Sequence, residues 1–256
     1  MPITNGNPYF IKGERPEIGC LLIHGFTGAP INVMPIAKIM MKYGFTVYAP
    51  LLKGHGTDAH DLEKATYLDW IQDVKNAYNK LKESGCKEII VYGHSFGGLL
   101  ALNLAENEPE IKAVLPFGAP IRVHDSSIYY KWRFPHLLKY TSFAPETREF
   151  EVPEYTSNYD SYPIAKQKDI TILMRMVEKN LGKIKCPLLV LYSKKDELVR
   201  MKSAWIICER SNAKRKEVIL LKDSGHNYFY GHENDKVEEK MHSFLHNIGY
   251  TLIEEN

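Results

Sequence analysis

Short apolar runs alternate along this chain with longer stretches whose apolar residues recur every three or four positions. The runs at residues 19–23, 45–50, 88–92, 113–117, 188–192 and 217–221 are almost continuously apolar, as expected of strands buried on both faces. Between them, residues 31–43, 67–83, 96–107, 203–211 and 234–248 carry a helical period. The spacing of Trp70, Ile71, Val74, Ala77, Tyr78 and Leu81 puts those side chains on one helix face. This alternation predicts an α/β domain, a mostly parallel central sheet with helices on both faces. Tyr9-Phe10-Ile11 adds an antiparallel edge strand before the first long one.

One segment breaks the rhythm. Residues 121–183 separate two strand candidates and would make an unusually long loop in a compact domain. They hold a helical patch at 170–180 and ten aromatics: Tyr129, Tyr130, Trp132, Phe134, Tyr140, Phe143, Phe150, Tyr155, Tyr159 and Tyr162. The expected organisation is therefore a core of residues 1–120 and 184–256 with an inserted cap, 121–183, over the sheet's C-terminal edge. The aromatics serve either to pack the cap down or to wall a pocket.

Bulk properties narrow the classes. With 256 residues, 44% hydrophobic and 25% charged, the chain can bury one large core. A net charge of +2 favours neither nucleic acid nor a membrane surface. The short run Lys214-Arg215-Lys216 reads as a solvated loop. No window is long and apolar enough for a stable membrane span, and the first residues do not read as a signal peptide. Cys20, Cys86, Cys186 and Cys208 are widely spaced and form no CxxC pair. They read as free thiols in a reducing compartment, with no metal site.

The chemistry concentrates at Gly93-His94-Ser95-Phe96-Gly97, between a strand and a helical pattern. A serine on so tight a turn presents its hydroxyl outward. It becomes a nucleophile when a base removes its proton, and that base needs a carboxylate to fix its tautomer. Asp196 and His226 each follow a strand, at the same sheet edge as Ser95, where α/β sheets place their chemistry. Glu197 is a rival acid. Asp223 reads as a turn residue, His232 is a weak rival base, and His94 either points away from the pocket or braces it. His55, in a Gly-rich loop, reads as structural, with a place lining the site as the alternative. The developing oxyanion needs two N–H donors. Phe96, after the serine at a helix N-terminus, offers one, and Phe26, in the loop His24-Gly25-Phe26-Thr27-Gly28, offers the other. The Phe26 and Phe96 side chains then wall the substrate pocket.

These residues, with Ala49-Pro50-Leu51-Leu52-Lys53-Gly54-His55-Gly56, Asp69-Trp70-Ile71-Gln72-Asp73-Val74, Gly118-Ala119-Pro120 and Ser224-Gly225-His226, resemble the serine α/β-hydrolase superfamily. The likeness is stronger to bacterial carboxylesterases and monoacylglycerol lipases. It runs from about residue 20 to 250 and weakens in the cap. Ser193 departs from it, since the family often has Gly three residues before the acid. The resemblance implies an α/β-hydrolase fold, a cytoplasmic esterase, Ser95, Asp196 and His226 as triad in the family's chain order, and Phe26 and Phe96 as oxyanion donors.

The expected reaction is two-step ester hydrolysis through an acyl-enzyme, with no metal or cofactor. The expected partner is a small ester, a short- to medium-chain acyl ester or a monoacylglycerol. Cinnamoyl or feruloyl-type esters and thioesters are alternatives within the same chemistry. A small-molecule receptor on the same fold is the non-enzyme alternative. Dehalogenase and epoxide hydrolase relatives carry Asp at the elbow, where this chain has Ser95. A nucleotide site is disfavoured, because no G-x-G-x-x-G follows the first strand. The oligomeric state stays open, a homodimer included.

Overall fold

A computed structural model describes residues 6–133, 139–142, 159–228 and 233–253. Its centre is a seven-stranded sheet in the order β1-β3-β2-β4-β5-β8-β9. The strands are β1 (Tyr9–Ile11), β2 (Arg15–Ile23), β3 (Phe45–Ala49), β4 (Glu88–His94), β5 (Ala113–Phe117), β8 (Leu188–Ser193) and β9 (Lys216–Leu221). All pair in parallel except β1, which runs antiparallel to β3 at the edge. The inner strands are buried along both faces, as at Cys20–Ile23, Ile89–Tyr92 and the whole of β5.

Helices cover both sides. On one face, α1 (Met34–Met41) and α7 (Asn234–Asn247) pack Ile36, Met40, Val237, Met241 and Phe244 against Leu22, Tyr92 and Leu191. On the other, α3 (Tyr67–Glu83), α4 (Phe96–Asn107) and α6 (Lys202–Arg210) cover Leu21, Val91 and Val190. The predicted stripe of α3 is observed, with Trp70, Val74, Ala77, Tyr78 and Leu81 all buried. Thr66 starts that helix by accepting from Asp69 N–H, and Asp69 answers Thr66 N–H.

Three departures from the expected elements have local causes. Helix α1 begins at Met34, three residues later than expected, after a 3₁₀ turn at Pro30–Val33. Pro35 lacks the N–H that a helix continuous from residue 31 would need. Strand β2 begins at Arg15 rather than 19, with a register shift before Gly19. The short helix α2 (Ala59–Lys64) was not anticipated; Asp58 caps it by accepting from His60 N–H and Asp61 N–H.

The 121–183 segment is not uniform. Its first part holds two 3₁₀ turns, Ser126–Tyr129 and Lys131–Arg133, and a separate ribbon of β6 (Tyr140–Thr141) and β7 (Tyr162–Pro163). Phe134, Phe143, Phe150 and Tyr155 lie outside the described residues. The helix α5 (Lys166–Asn180) buries Ile170, Leu173, Met174 and Val177 in the same cluster as α3 and α4. Arg122 clasps Glu178 of α5 with two hydrogen bonds of 2.7 Å, joining the start of the segment to its last helix. No helix among the described residues is long and apolar enough to cross a membrane.

Candidate active site

Ser95 sits where β4 turns directly into α4. Its φ and ψ are 54° and −119°, a conformation that stores strain in an L-residue. The turn is this tight because its neighbours are glycines. A Cβ on Gly93 would stand 2.1 Å from Gly97 O, and one on Gly97 would stand 2.3 Å from Ile23 O. Ser95 N–H donates to Phe117 O on β5 at 2.7 Å, and the residue stays half-buried.

Asp196 and His226 leave the ends of β8 and β9. Asp196 Oδ2 lies 2.8 Å from His226 Nδ1, and both side chains are buried. That contact puts the hydrogen on Nδ1 and leaves Nε2 as an acceptor. Nε2 is buried with no hydrogen-bond partner among the described residues. Its link to the Ser95 hydroxyl is therefore not closed here; such links often tighten only around substrate. Gly118 bridges the two halves. It follows Phe117, which holds Ser95 N–H, and a Cβ on it would meet His226 Cε1 at 3.1 Å.

The weighed rivals fall into other places. Glu197 Oε2 accepts from His226 N–H at 3.0 Å, so it grips the backbone while Asp196 grips the ring. Asp223 pairs with Lys195 at 2.9 Å on the surface. His94 Nε2–H donates to His226 O at 3.1 Å and so braces that loop from beneath. Burial pulls the His94 pKa down to about 4, helped by the charge of His226. His232 lies outside the described residues. His55 is buried beside His24, Phe26 and Trp70, with ring centroids 5.0, 5.9 and 6.1 Å away.

The charges around His226 act against the effect of its burial. Burial works against protonation of His226, but the Asp196 charge and hydrogen bond, with Glu197, outweigh it and hold the pKa above 6.5. Burial likewise opposes ionisation of Asp196, yet His226, Tyr228 and Val199 N–H keep its carboxyl below the usual range.

The Phe26 loop lies against the elbow, since a Cβ on Gly25 would stand 3.7 Å from Ser95 Cβ. His24 shapes the loop. Its Nε2 accepts from Leu52 N–H at 3.2 Å, so Nδ1–H donates to Gly25 O at 2.9 Å. Burial lowers the His24 pKa to about 4, consistent with that neutral form. Thr27 adopts φ 63° and donates its hydroxyl to Phe26 O at 2.6 Å. Neither Phe26 N–H nor Phe96 N–H donates to a backbone carbonyl among the described residues. The Phe26 ring stands edge-on to Phe96, Trp70 and Tyr162, with centroids 5.6, 6.2 and 5.2 Å away.

Several supports were not foreseen. Asp196 Oδ1 accepts from Leu198 N–H and Val199 N–H at 2.9 and 2.7 Å. Tyr228 Oη donates to Asp196 Oδ2. Ser193, the departure from the family pattern, donates to Ser224 O and so ties the Asp196 loop to the His226 loop. Glu233 accepts from the N–H groups of Lys222, Asp223 and Ser224. The sequence signal for Tyr228 was an aromatic two residues past His226, which reads as plain packing.

Among known proteins, the family model described as serine aminopeptidase, S33, matches residues 14–235. A thermostable monoacylglycerol lipase of Bacillus sp. is 32% identical over 247 residues, covering 95% of this chain and 96% of that protein. A carboxylesterase of Bacillus subtilis is 27% identical over 250 residues, covering 98% and 100%. A solved structure described among metagenome-derived lipolytic enzymes superposes with a TM-score of 0.87 at 25% identity, covering 95% of this chain and 98% of that one.

Proposed function

The chain belongs to the S33 family of serine α/β-hydrolases, and from that premise we propose how it hydrolyses carboxylic esters. Ser95 is the nucleophile, His226 the general base and Asp196 the acid that holds the imidazole. The observation that carries this reading is the buried Asp196–His226 pair at 2.8 Å. It leaves Nε2 without a hydrogen-bond partner among the described residues, and Ser95 holds its strained turn at the end of β4.

Ser95 Oγ attacks the ester carbonyl while His226 Nε2 takes its proton. Phe26 N–H and Phe96 N–H receive the oxyanion, and the α4 N-terminus adds its dipole. His226 then returns the proton to the departing alcohol. A water activated by the same nitrogen releases the acid and restores Ser95. These steps use only the chain's own residues.

The family model carries the name of an aminopeptidase, whereas the two relatives matched over nearly their whole length are a monoacylglycerol lipase and a carboxylesterase. The substrate proposed here is accordingly a small ester with a short or medium acyl chain, monoacylglycerols included. Phe26, Phe96 and Tyr162 supply an apolar wall for that chain. The 121–183 segment acts as the cap that sets substrate choice, and Tyr159 supports this by donating to Gly54 O and accepting from Thr57 N–H. Cys20, Cys86, Cys186 and Cys208 are all free thiols, in keeping with a reducing, cytoplasmic setting.

The test is a panel of p-nitrophenyl esters from acetyl to palmitoyl with monoacylglycerols beside it, run on wild type and Ser95→Ala. Repeated turnover that peaks at short or medium chains and vanishes in Ser95→Ala is expected. A single slow covalent event without turnover would make the chain a receptor. Undiminished turnover by Ser95→Ala would overturn the assignment of the nucleophile.

A further inference from the structure

Tyr228 is fully buried, and among the described residues its hydroxyl has one hydrogen-bond partner, Asp196 Oδ2. That oxygen is also the one that receives His226 Nδ1–H at 2.8 Å. The other oxygen, Oδ1, is occupied by Leu198 N–H and Val199 N–H. Four donors thus surround one carboxylate, two on each oxygen, and the phenol and the imidazole share Oδ2. The place of Tyr228 is built by the backbone. Gly118 has φ 63°, and a Cβ there would lie 2.6 Å from Tyr228 Oη and 3.1 Å from His226 Cε1. Only glycine at 118 lets the phenol and the imidazole reach the carboxylate together.

A phenol hydrogen bond withdraws negative charge from the oxygen that accepts it. We propose that Tyr228 is a positioning residue that shares Asp196 Oδ2 with His226 and so limits how tightly the carboxylate holds the imidazolium. The consequence concerns the second half of each chemical step. His226 must surrender to the leaving alcohol the proton it took from Ser95, and an Asp196 with one fewer donor would stabilise the imidazolium more and make His226 Nε2 retain that proton more strongly. Tyr228 also fixes the carboxylate plane, which keeps Nε2 aimed along one direction.

The neighbours of the pair leave this role to Tyr228. Glu197 meets His226 through the backbone N–H, and His94 meets it through the backbone carbonyl. Tyr192, the other nearby phenol, donates to Ala119 O. Burial and the Asp196 charge push the Tyr228 pKa well above its ordinary value, so its hydroxyl remains a donor through the working pH range.

This inference rests on the reading of Asp196 and His226 as the working pair, and its test separates the two. Tyr228→Phe removes only the hydroxyl from a buried ring. Its kcat/KM profile should keep its shape while the acid limb moves up by about half a pH unit. Its kcat should fall about threefold, with KM little changed. Site-specific replacement of Tyr228 by 3-fluorotyrosine strengthens the donor and should move the limb the other way. It also keeps the question answerable if Tyr228→Phe folds poorly. In one-dimensional proton spectra, the low-field His226 Nδ1–H resonance should shift in opposite senses in the two variants. A limb that stays in place in both, or a resonance that does not respond, overturns the proposal. Full activity in His226→Ala would instead overturn the reading beneath it.

Discussion

The Phe26 ring meets the Tyr162 ring edge-on, with centroids 5.2 Å apart and planes 82° apart. This contact joins the proposed oxyanion loop to the inserted segment through one aromatic pair. Tyr162→Leu keeps an apolar side chain but loses the edge-on contact and the hydrogen bond from Gln167. KM for a medium-chain p-nitrophenyl ester should rise about fivefold, with kcat within about twofold. Initial-rate kinetics on wild type and variant decide it, and an unchanged KM would remove Tyr162 from the acyl wall.

Strain at the elbow gives a second prediction. Ser95 holds φ 54°, which a glycine adopts without a Cβ clash. Both Ser95→Ala and Ser95→Gly should lose kcat by about four to six orders of magnitude. Ser95→Gly should nonetheless be the more stable of the two, by about 1 kcal/mol. Calorimetry of the two inactive proteins checks the order of their melting temperatures.

The pH dependence has a defined sign. As the proposed base, His226 has to be neutral, and its pKa is held above 6.5 because Asp196 outweighs burial. The acid limb of kcat/KM should therefore have its midpoint above 6.5. Asp196→Asn removes the charge that raises the pKa, so burial prevails and the limb moves to lower pH. The rate itself should drop by about four orders of magnitude, because the imidazole loses its tautomer. A limb unmoved by Asp196→Asn would show that another group titrates.

Glu106, on α4 and remote in role from the site, offers a prediction about stability. It is 6% exposed, and neither carboxyl oxygen has a hydrogen-bond partner among the described residues. Burial lifts its pKa from 4.5 to about 8, against smaller opposing effects of the Lys183 charge and of the Asn103 side chain. Between those values the folded protein keeps a proton that the unfolded chain has released. Stability conferred by this group is thus complete below 4.5 and declines as pH rises towards about 8. Glu106→Gln removes the decline and should gain on wild type by about 3 kcal/mol between pH 5 and pH 8. Melting curves that run parallel across that range would refute the account.

What could be read beforehand follows from how each element is encoded. From Ile89 to Leu102, strand β4, the Ser95 turn and α4 form a run of apolar and glycine residues interrupted only by His94 and Ser95. Asp196 and His226 were legible because each follows a buried strand. Helix α2 was not, since Leu62 is its one buried residue and six residues give no period to count. The first turn of β2 was hidden by Pro16 and Glu17, which belong to an exposed edge of the strand. Helix α5 starts at Lys166 rather than 170, because Lys166 and Gln167 are buried polar residues that an apolar pattern passes over. Tyr228 was invisible for a different reason: its partner, Asp196, lies thirty-two positions away and is brought to it only by the pairing of β8 with β9.

The pairing of β5 with β8 has a consequence for how such a protein can change over generations. Val114 and Phe117 sit beside Leu188 and Leu191 although the whole inserted segment runs between them. The sheet is thus completed across a connection whose length it does not dictate. Doubling a flexible connection of this kind costs only about 0.6 kcal/mol in closure entropy. Helix α5 is anchored in the core, so the stretch ahead of it is the part that lineages can lengthen, shorten or replace. On the proposed function, Ser95, Asp196 and His226 stay fixed by the strands while the stretch ahead of α5 can change, so that ester preference can shift without altering the sheet.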